Sequence, residues 1–254
     1  MKTQSSCFIG KRKNTGLGKA GQVILGIAIG FAGVTMAVAG QSVTGKIIID
    51  GIVYGEGSSK IIEGSGVLSR ERRHVNDFHS VEIKTGVDVN FTRDGDTGVE
   101  ISGDDNLLKL IRTDVVGGVL TISSTESYQT KSPLVVSLTG PHLSSIAMHG
   151  AGDIKLTDLK ENDLAMELNG SGEVSVSGSA GQFNVLLNGS SDVEAEALVS
   201  ENANIQILGS GDIEVNAKQS LDVSIIGSGN VKYFGNPEKI NRQIIGSGEV
   251  EAGE

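Results

Sequence analysis

The chain has 254 residues, a formal net charge of -10, 36 Gly, 3 Pro, no Trp and 4% aromatic residues. That length allows one large domain or two modest ones, and the many Val and Ile residues exclude a disordered Gly-rich linker. So acidic a chain repels phosphate backbones, which excludes nucleic acid as a partner and disfavours docking on anionic lipid.

Residues 1–39 read as a signal peptide. Lys2, Lys11, Arg12, Lys13 and Lys19 form a basic leader without acids, followed by the apolar run Val23–Val38 and the small-x-small pattern Ala37-Val38-Ala39. The run is shorter than the roughly 20 residues of a spanning helix. Cleavage is expected after Ala39. The leader is longer than usual, so an uncleaved anchor is the alternative. Cleavage removes those five positive charges and no negative ones, taking the net charge from -10 to -15. Cys7 precedes the apolar run, so it does not mark a lipoprotein site. The mature chain then has no Cys, and disulfides, thiolate metal sites and Cys nucleophiles fall away together. The expected location is outside the cytoplasm, in the periplasm or on the outer surface, with no membrane span after cleavage.

Residues 40–74 are expected to hold an N-terminal hairpin and a Gly/Ser-rich linker. "KIIIDGIVY" has apolar runs flanking Asp50-Gly51, a pair favoured in type I′ turns, and "GEGSSKIIEGSG" reads as a connection. "RERRH", Arg70–His74, reads as a solvated basic surface. From Val75 to Thr139 the pattern is short strands; in "VDVNFT", Val87, Val89 and Phe91 share one side. "NLLKLIRTDV", Asn106–Val115, is expected to be a short helix or a turn.

A repeat occupies about residues 143–253. Its first glycines are Gly150, Gly170, Gly189, Gly209, Gly227 and Gly246, separated by 20, 19, 20, 18 and 19 residues. Two, four and six residues before Gly170, Gly189, Gly209 and Gly227 the side chains are apolar, as in Leu164, Met166 and Leu168. Four and six residues after each first glycine they are apolar again, as in Val174 and Val176. This is a strand, a glycine corner and a second strand, both alternating with period 2. So short a unit cannot bury its apolar side alone but can when stacked on copies of itself. The expected fold is therefore all-β: a parallel β-solenoid with rungs of about 19 residues, preceded by a region of short strands. One domain is expected over residues 75–253.

The corners are Gly-Ser-Gly or near copies, with Ala151 in the middle of the first and Ser191 in third place in another. Glycine suits a corner through positive φ or close backbone approach. An acid or amide follows each corner: Asp153, Glu173, Asp192, Asp212, Asn230 and Glu249. Asp153, Glu173, Asp192 and Asp212 are the candidate metal ligands should calcium bind. Calcium β-rolls have a nonapeptide period, however, and here one acid serves a whole rung, so no metal or other cofactor is expected. The four His residues are scattered, and the Gly-Ser-Gly copies lack the strand–helix context of a nucleophile elbow. No catalytic residue is assigned. Arg242 falls at an otherwise apolar inward position and is expected to reach solvent.

These residues also resemble a known family. "RRHVNDFHSVEIKTGVDVNFTRDG", "DDNLLKLIRTDVVGGVLTIS", "VSLTGPHLSSI" and the "NGSGEV"-type corners resemble the auto-transporter adhesin head GIN domain over roughly Val75–Gly253. "GSGNVKYFGNPEKINRQIIGSGEV" is similar to that family's closing repeat. The resemblance implies a secreted, solenoid-like domain of the bacterial envelope and carries over no catalytic residue. After Ile245 only "GSGEVEAGE" follows, so surface display is expected to use a route other than a C-terminal barrel. The function expected is non-enzymatic, in adhesion or envelope interaction with an unidentified envelope or extracellular ligand, and self-association is left open. The alternative is a periplasmic carbohydrate-binding or carbohydrate-active β-helix protein.

Overall fold

The computed structural model describes residues 61–253, together with the backbone of two short strands, β1 (Ile47–Ile49) and β2 (Ile52–Tyr54). The leader, Cys7, the Ala39 cleavage position and the Asp50-Gly51 pair lie outside the described residues. Strands β1 and β2 pair antiparallel, Ile47 opposite Tyr54, as the hairpin reading expects. The chain divides into two units at Glu56/Gly57. Among the described residues no helix is long and apolar enough to cross a membrane.

The second unit is nearly all β. Its first half runs β3 (Ile62–Glu63), β4 (Leu68–Arg73), β5 (Ser80–Ile83), β6 (Asp88–Arg93), β7 (Gly98–Asp104), α1 (Asp105–Leu108), β8 (Ile111–Val116), β9 (Val119–Ser124), β10 (Tyr128–Gln129) and β11 (Val135–Gly140). Then come β12 (Ser145–Ala151) and the rungs β13 (Ile154–Ser171), β14 (Glu173–Gly189), β15 (Asp192–Gly209) and β16 (Ile213–Gly227). The next rung is broken into β17 (Val231–Gly235) and β18 (Lys239–Gly246), and β19 (Val250–Ala252) stacks on β17.

The rungs pair parallel and in register. Met166 lies beside Val185, Val185 beside Ile205, and Ile205 beside Val223; Leu168, Leu187, Ile207 and Ile225 do the same. Beyond the corner, Ile154, Val174, Val193, Ile213, Val231 and Val250 form another column. These side chains are buried between two faces, the first formed by the strand before each corner and the second by the strand after it. Each full burial of a Leu, Ile or Val contributes roughly 1.5–3 kcal/mol, and stacking is what makes burial complete. Phe183 sits in register between Leu164 and Ala203, so the small neighbour offsets the large one in a close-packed column.

The short-strand region continues the same two faces. Strand β12 pairs with β5, and β5 with β9, extending the first face; β13 pairs with β6, and β6 with β11, extending the second. The stack then closes with antiparallel strands, β8 on β9 and β7 on β11, with β4 outermost on β7. Asn106–Val115 splits between a four-residue helix and strand β8: Leu107, Leu108 and Ile111 are all buried, but the last belongs to the sheet.

Two expectations for the 40–74 segment are corrected. Its later part is no linker, because β3 pairs with β10 and β4 with β7. Nor is the basic cluster wholly solvated. Arg73 turns inward, donating from Nη2 to Leu108 O at 2.8 Å and from Nη1 to Ile111 O, and so satisfies a carbonyl at the end of α1 and one at the start of β8.

Where rung lengths differ, the pairing slips. The register shifts lie between Leu156 and Leu159, between Ser175 and Gly178, and between Ala195 and Asn202, all on the turn side opposite the corner.

Candidate functional site

The corner glycines come first, because they form the most regular surface feature. Gly150, Gly189, Gly209, Gly227 and Gly246 have φ between 138° and 153°, a region that residues with a Cβ rarely adopt. Gly170 lacks the positive φ but shares the close approach: a Cβ there would lie 1.7 Å from Gly150 O. The carbonyls of Gly170, Gly189, Gly209 and Gly227 each accept the backbone N–H of the next rung's corner serine at 2.9–3.0 Å. The corner is thus a backbone column, with no room for a Cβ at Gly170, Gly189, Gly209, Gly227 or Gly246. Ser191, in a place where the other corners have Gly, is buried with an unpartnered Oγ.

The acid column proves to be a backbone clamp. Asp88 Oδ1 accepts the N–H of Asp153, Asp153 Oδ1 that of Glu173, and Asp192 Oδ1 that of Asp212, each at 3.0 Å. Asp212 Oδ1 accepts from Asn230 N and Nδ2, and Asn230 Oδ1 accepts from Glu249 N. Glu173, one methylene longer, breaks the series: Asp192 donates its N–H to Gly172 O instead. Of the four candidate calcium ligands, three are thereby turned toward neighbouring amides. Among the described residues no group of three or more His, Cys, Asp or Glu is placed to hold a metal ion.

The outward sides of the two faces differ in charge. On the second face, Lys155, Glu194, Glu196, Glu214, Lys232 and Glu251 join the acid column. A trough of about 500 Å³ runs past Lys155, Ser175, Glu194, Glu196 and Glu214. Ser175 Oγ donates to Glu194 at 3.2 Å, and Lys232 lies 3.9 Å from Glu214 and 5.2 Å from the Phe234 ring centre.

The outward side of the first face is almost free of charge. From β12 to β18 its rows pair Ser145, Ala165, Asn184, Asn204, Asp222 and Asn241; Ala147, Glu167, Leu186, Gln206, Ser224 and Gln243; and His149, Asn169, Asn188, Leu208, Ile226 and Ile245. Glu167 and Asp222 are the only carboxylates in these rows. Amides bond along the stack, Asn188 Nδ2 to Asn169 Oδ1 at 2.8 Å and Asn241 Nδ2 to Asp222 Oδ1 at 2.7 Å. Ala147 and Ala165 are short beside their neighbours, leaving a trough of about 330 Å³ walled by Glu167, Asn184, Leu186, Asn204 and Gln206. Toward the last rung the row nearest the corner turns apolar, with Leu208, Ile226 and Ile245 43%, 48% and 57% exposed. At the other end Glu82 lies in line with Ala147; a bond from Lys84 at 2.8 Å, with lesser help from Thr121 and His149, holds its carboxyl below the usual range.

One buried charge lies away from both faces. Asp104 is fully buried, accepting from Lys131 N at 2.9 Å and Ser132 N at 3.3 Å through Oδ2, and from Gly66 N at 2.8 Å through Oδ1. These amides, Lys131 N first, hold its carboxyl below the usual range. It ties three separate segments together and is structural.

The neutral face escaped the sequence reading, which followed the inward columns. Its signal was nonetheless present: residues one, three and five before each corner glycine are mostly Asn, Gln, Ser or apolar, in a chain rich in acid elsewhere.

The fold is similar to that of a solved structure. In the crystal structure of a protein from Bacteroides fragilis described as a putative adhesin, 99% of that chain and 75% of this one superpose, with 25% identity and a TM-score of 0.64. A putative lipid binding protein from Parabacteroides distasonis (22% identity, TM-score 0.46) covers 77% of this chain and all of its own. A putative adhesin from Parabacteroides merdae (20% identity, TM-score 0.48) covers 76% of this chain and 99% of its own. No curated protein matches the chain. The family profile described as "Putative auto-transporter adhesin, head GIN domain" matches residues 77–237, more than half of the chain, in the region that builds both faces. The chain belongs to the auto-transporter adhesin head GIN domain family.

Proposed function

We propose that this chain is an exported, non-catalytic adhesion protein of the bacterial envelope, and that the outward side of the first face is its binding surface. The observation that carries the reading is the separation of charge. A chain of net charge -10 keeps one broad, flat face nearly free of carboxylates and lines it with amides, short side chains and an apolar row. Docking surfaces are depleted of charge at their centres, because a charge that loses its water must be compensated. Planar amides at strand spacing suit a ligand that offers hydroxyls and carbonyls at regular intervals, as a polysaccharide does. The basic leader and the apolar run Val23–Val38 support export, and the adhesin family supports the role.

Binding of the purified chain to a glycan array and to envelope preparations tests the reading. Asn204→Asp and Gln206→Glu, which put charge on the neutral face, abolish binding, whereas Glu194→Gln on the second face leaves it intact. Equal loss from both faces, or binding no better than that of an unrelated acidic β-solenoid, refutes it. A carbohydrate-active reading draws on Glu194, Glu196 and Glu214 in the second trough; glycan turnover abolished by Glu194→Gln is the result that favours it.

A further inference from the structure

The last rung departs from the columns above it at one position. Ile240, Arg242 and Ile244 of β18 lie in register with Leu221, Val223 and Ile225 of β16, which are buried. Arg242 thus occupies a core column, yet it is exposed, because no described strand pairs beyond β18. Its Nη1 donates to Val250 O at 3.2 Å, on β19. The guanidinium therefore reaches across the end of the core from the first face to the second.

Apart from Arg242, the inward side of this edge strand is apolar, with Ile240 and Ile244. Two copies meeting end to end about a two-fold axis would pair β18 with β18 antiparallel, where facing residues share a side of the sheet. A register centred on residue 242 sets Ile240 of each copy against Ile244 of the other, with Arg242 against Arg242 between them. Sliding the strands by two residues in either direction sets Arg242 against an isoleucine. Every such register drives a guanidinium into an apolar layer, and the central one brings two like charges together there.

We propose that Arg242 is the stop of the solenoid, an inward-facing charge on an open edge that bars a second copy from extending the stack. Val223, one rung above, shows the residue that would continue the column. The stop leaves the neutral face free along its whole length and is independent of what that face binds.

Light scattering of the full chain over a range of concentrations tests this, wild type and variants side by side, so that the difference between them is the readout. R242V doubles its average mass on concentration while wild type and R242K do not, and adding I240D to R242V restores the wild-type mass. R242Q, which keeps the stem and removes the charge, carries the same expectation should R242V fail to fold. An R242V or R242Q chain with native circular dichroism and wild-type mass at every concentration overturns the proposal. So does a wild-type chain whose self-association is abolished by R242E.

Discussion

Replacing Gly209 with alanine places a methyl carbon 2.0 Å from the carbonyl oxygen of Gly189, where ordinary contact begins at 3.4 Å. The obstacle is backbone, so no rotamer change relieves it; the two rungs must part locally by more than an ångström. Gly209 also has φ of 153°, where a Cβ costs about 1–3 kcal/mol. Parting the rungs stretches the bond from Ser210 N to Gly189 O, now 3.0 Å, for about 1 kcal/mol more. Forced overpacking of the neighbouring columns adds about 1–3 kcal/mol. The total is on the order of 3–7 kcal/mol, which in a domain of this size lowers the melting temperature by roughly 6–28 °C. Thermal melting followed by circular dichroism measures it, and hydrogen exchange shows whether the loss centres on β15 and β16. Gly95→Ala is the control, since no atom lies within 4 Å of its Cβ position and its φ is unexceptional. A Gly209→Ala chain that melts within about 2 °C of wild type would refute the reading of the corner as a stacked backbone column.

Other expectations follow from single groups. Asp104 has a lowered pKa in the fold, so its contribution is full above the aspartate range and is lost as pH falls through the folded value. Asp104→Asn is therefore less stable than wild type at neutral pH, and the gap narrows on acidification; a gap constant from pH 7 to 2 contradicts this assignment. Asp212→Ala removes the acceptor of Asn230 N and Nδ2 and costs about 1 kcal/mol in denaturant unfolding, whereas Glu173→Ala, with no such bond to the next rung, stays within about 0.5 kcal/mol of wild type. Ser191→Ala deletes a buried hydroxyl without a partner and raises stability by about 1 kcal/mol; a lower melting temperature shows that the hydroxyl is satisfied.

The coil was legible because its period is written in residues that have few substitutes. Glycine at each corner and apolar side chains at fixed offsets define rungs, two faces and a core in the sequence itself. What escaped depends on contacts between distant segments. Nothing in the sequence near Asp104 marks it, and only the fold brings the amides of Gly66, Lys131 and Ser132 to its carboxylate. Arg73 sat in a basic run typical of solvated surface, and the carbonyls that draw it inward belong to residues 35 and 38 positions away. The acid column was visible in the sequence as an acid or amide after each corner, but the ladder of carboxylate-to-amide bonds that it builds depends on the stacking of the rungs. The neutral face was hidden for a different reason. Outward residues are free to vary, and their common property appears only when every second position is read across rungs instead of along the chain.

From each corner glycine to the first inward residue of the second face the count is always four, as from Gly170 to Val174 and from Gly209 to Ile213. The approach to the corner is equally constant. The rungs nonetheless differ in length, and the register shifts place the whole difference on the turn side. That side is the coil's slack: it takes up extra residues while both faces and the corner keep step. A segment inserted there leaves the faces aligned from end to end, whereas a single residue added at a corner turns every inward side chain after it, to the end of that strand, out to the solvent.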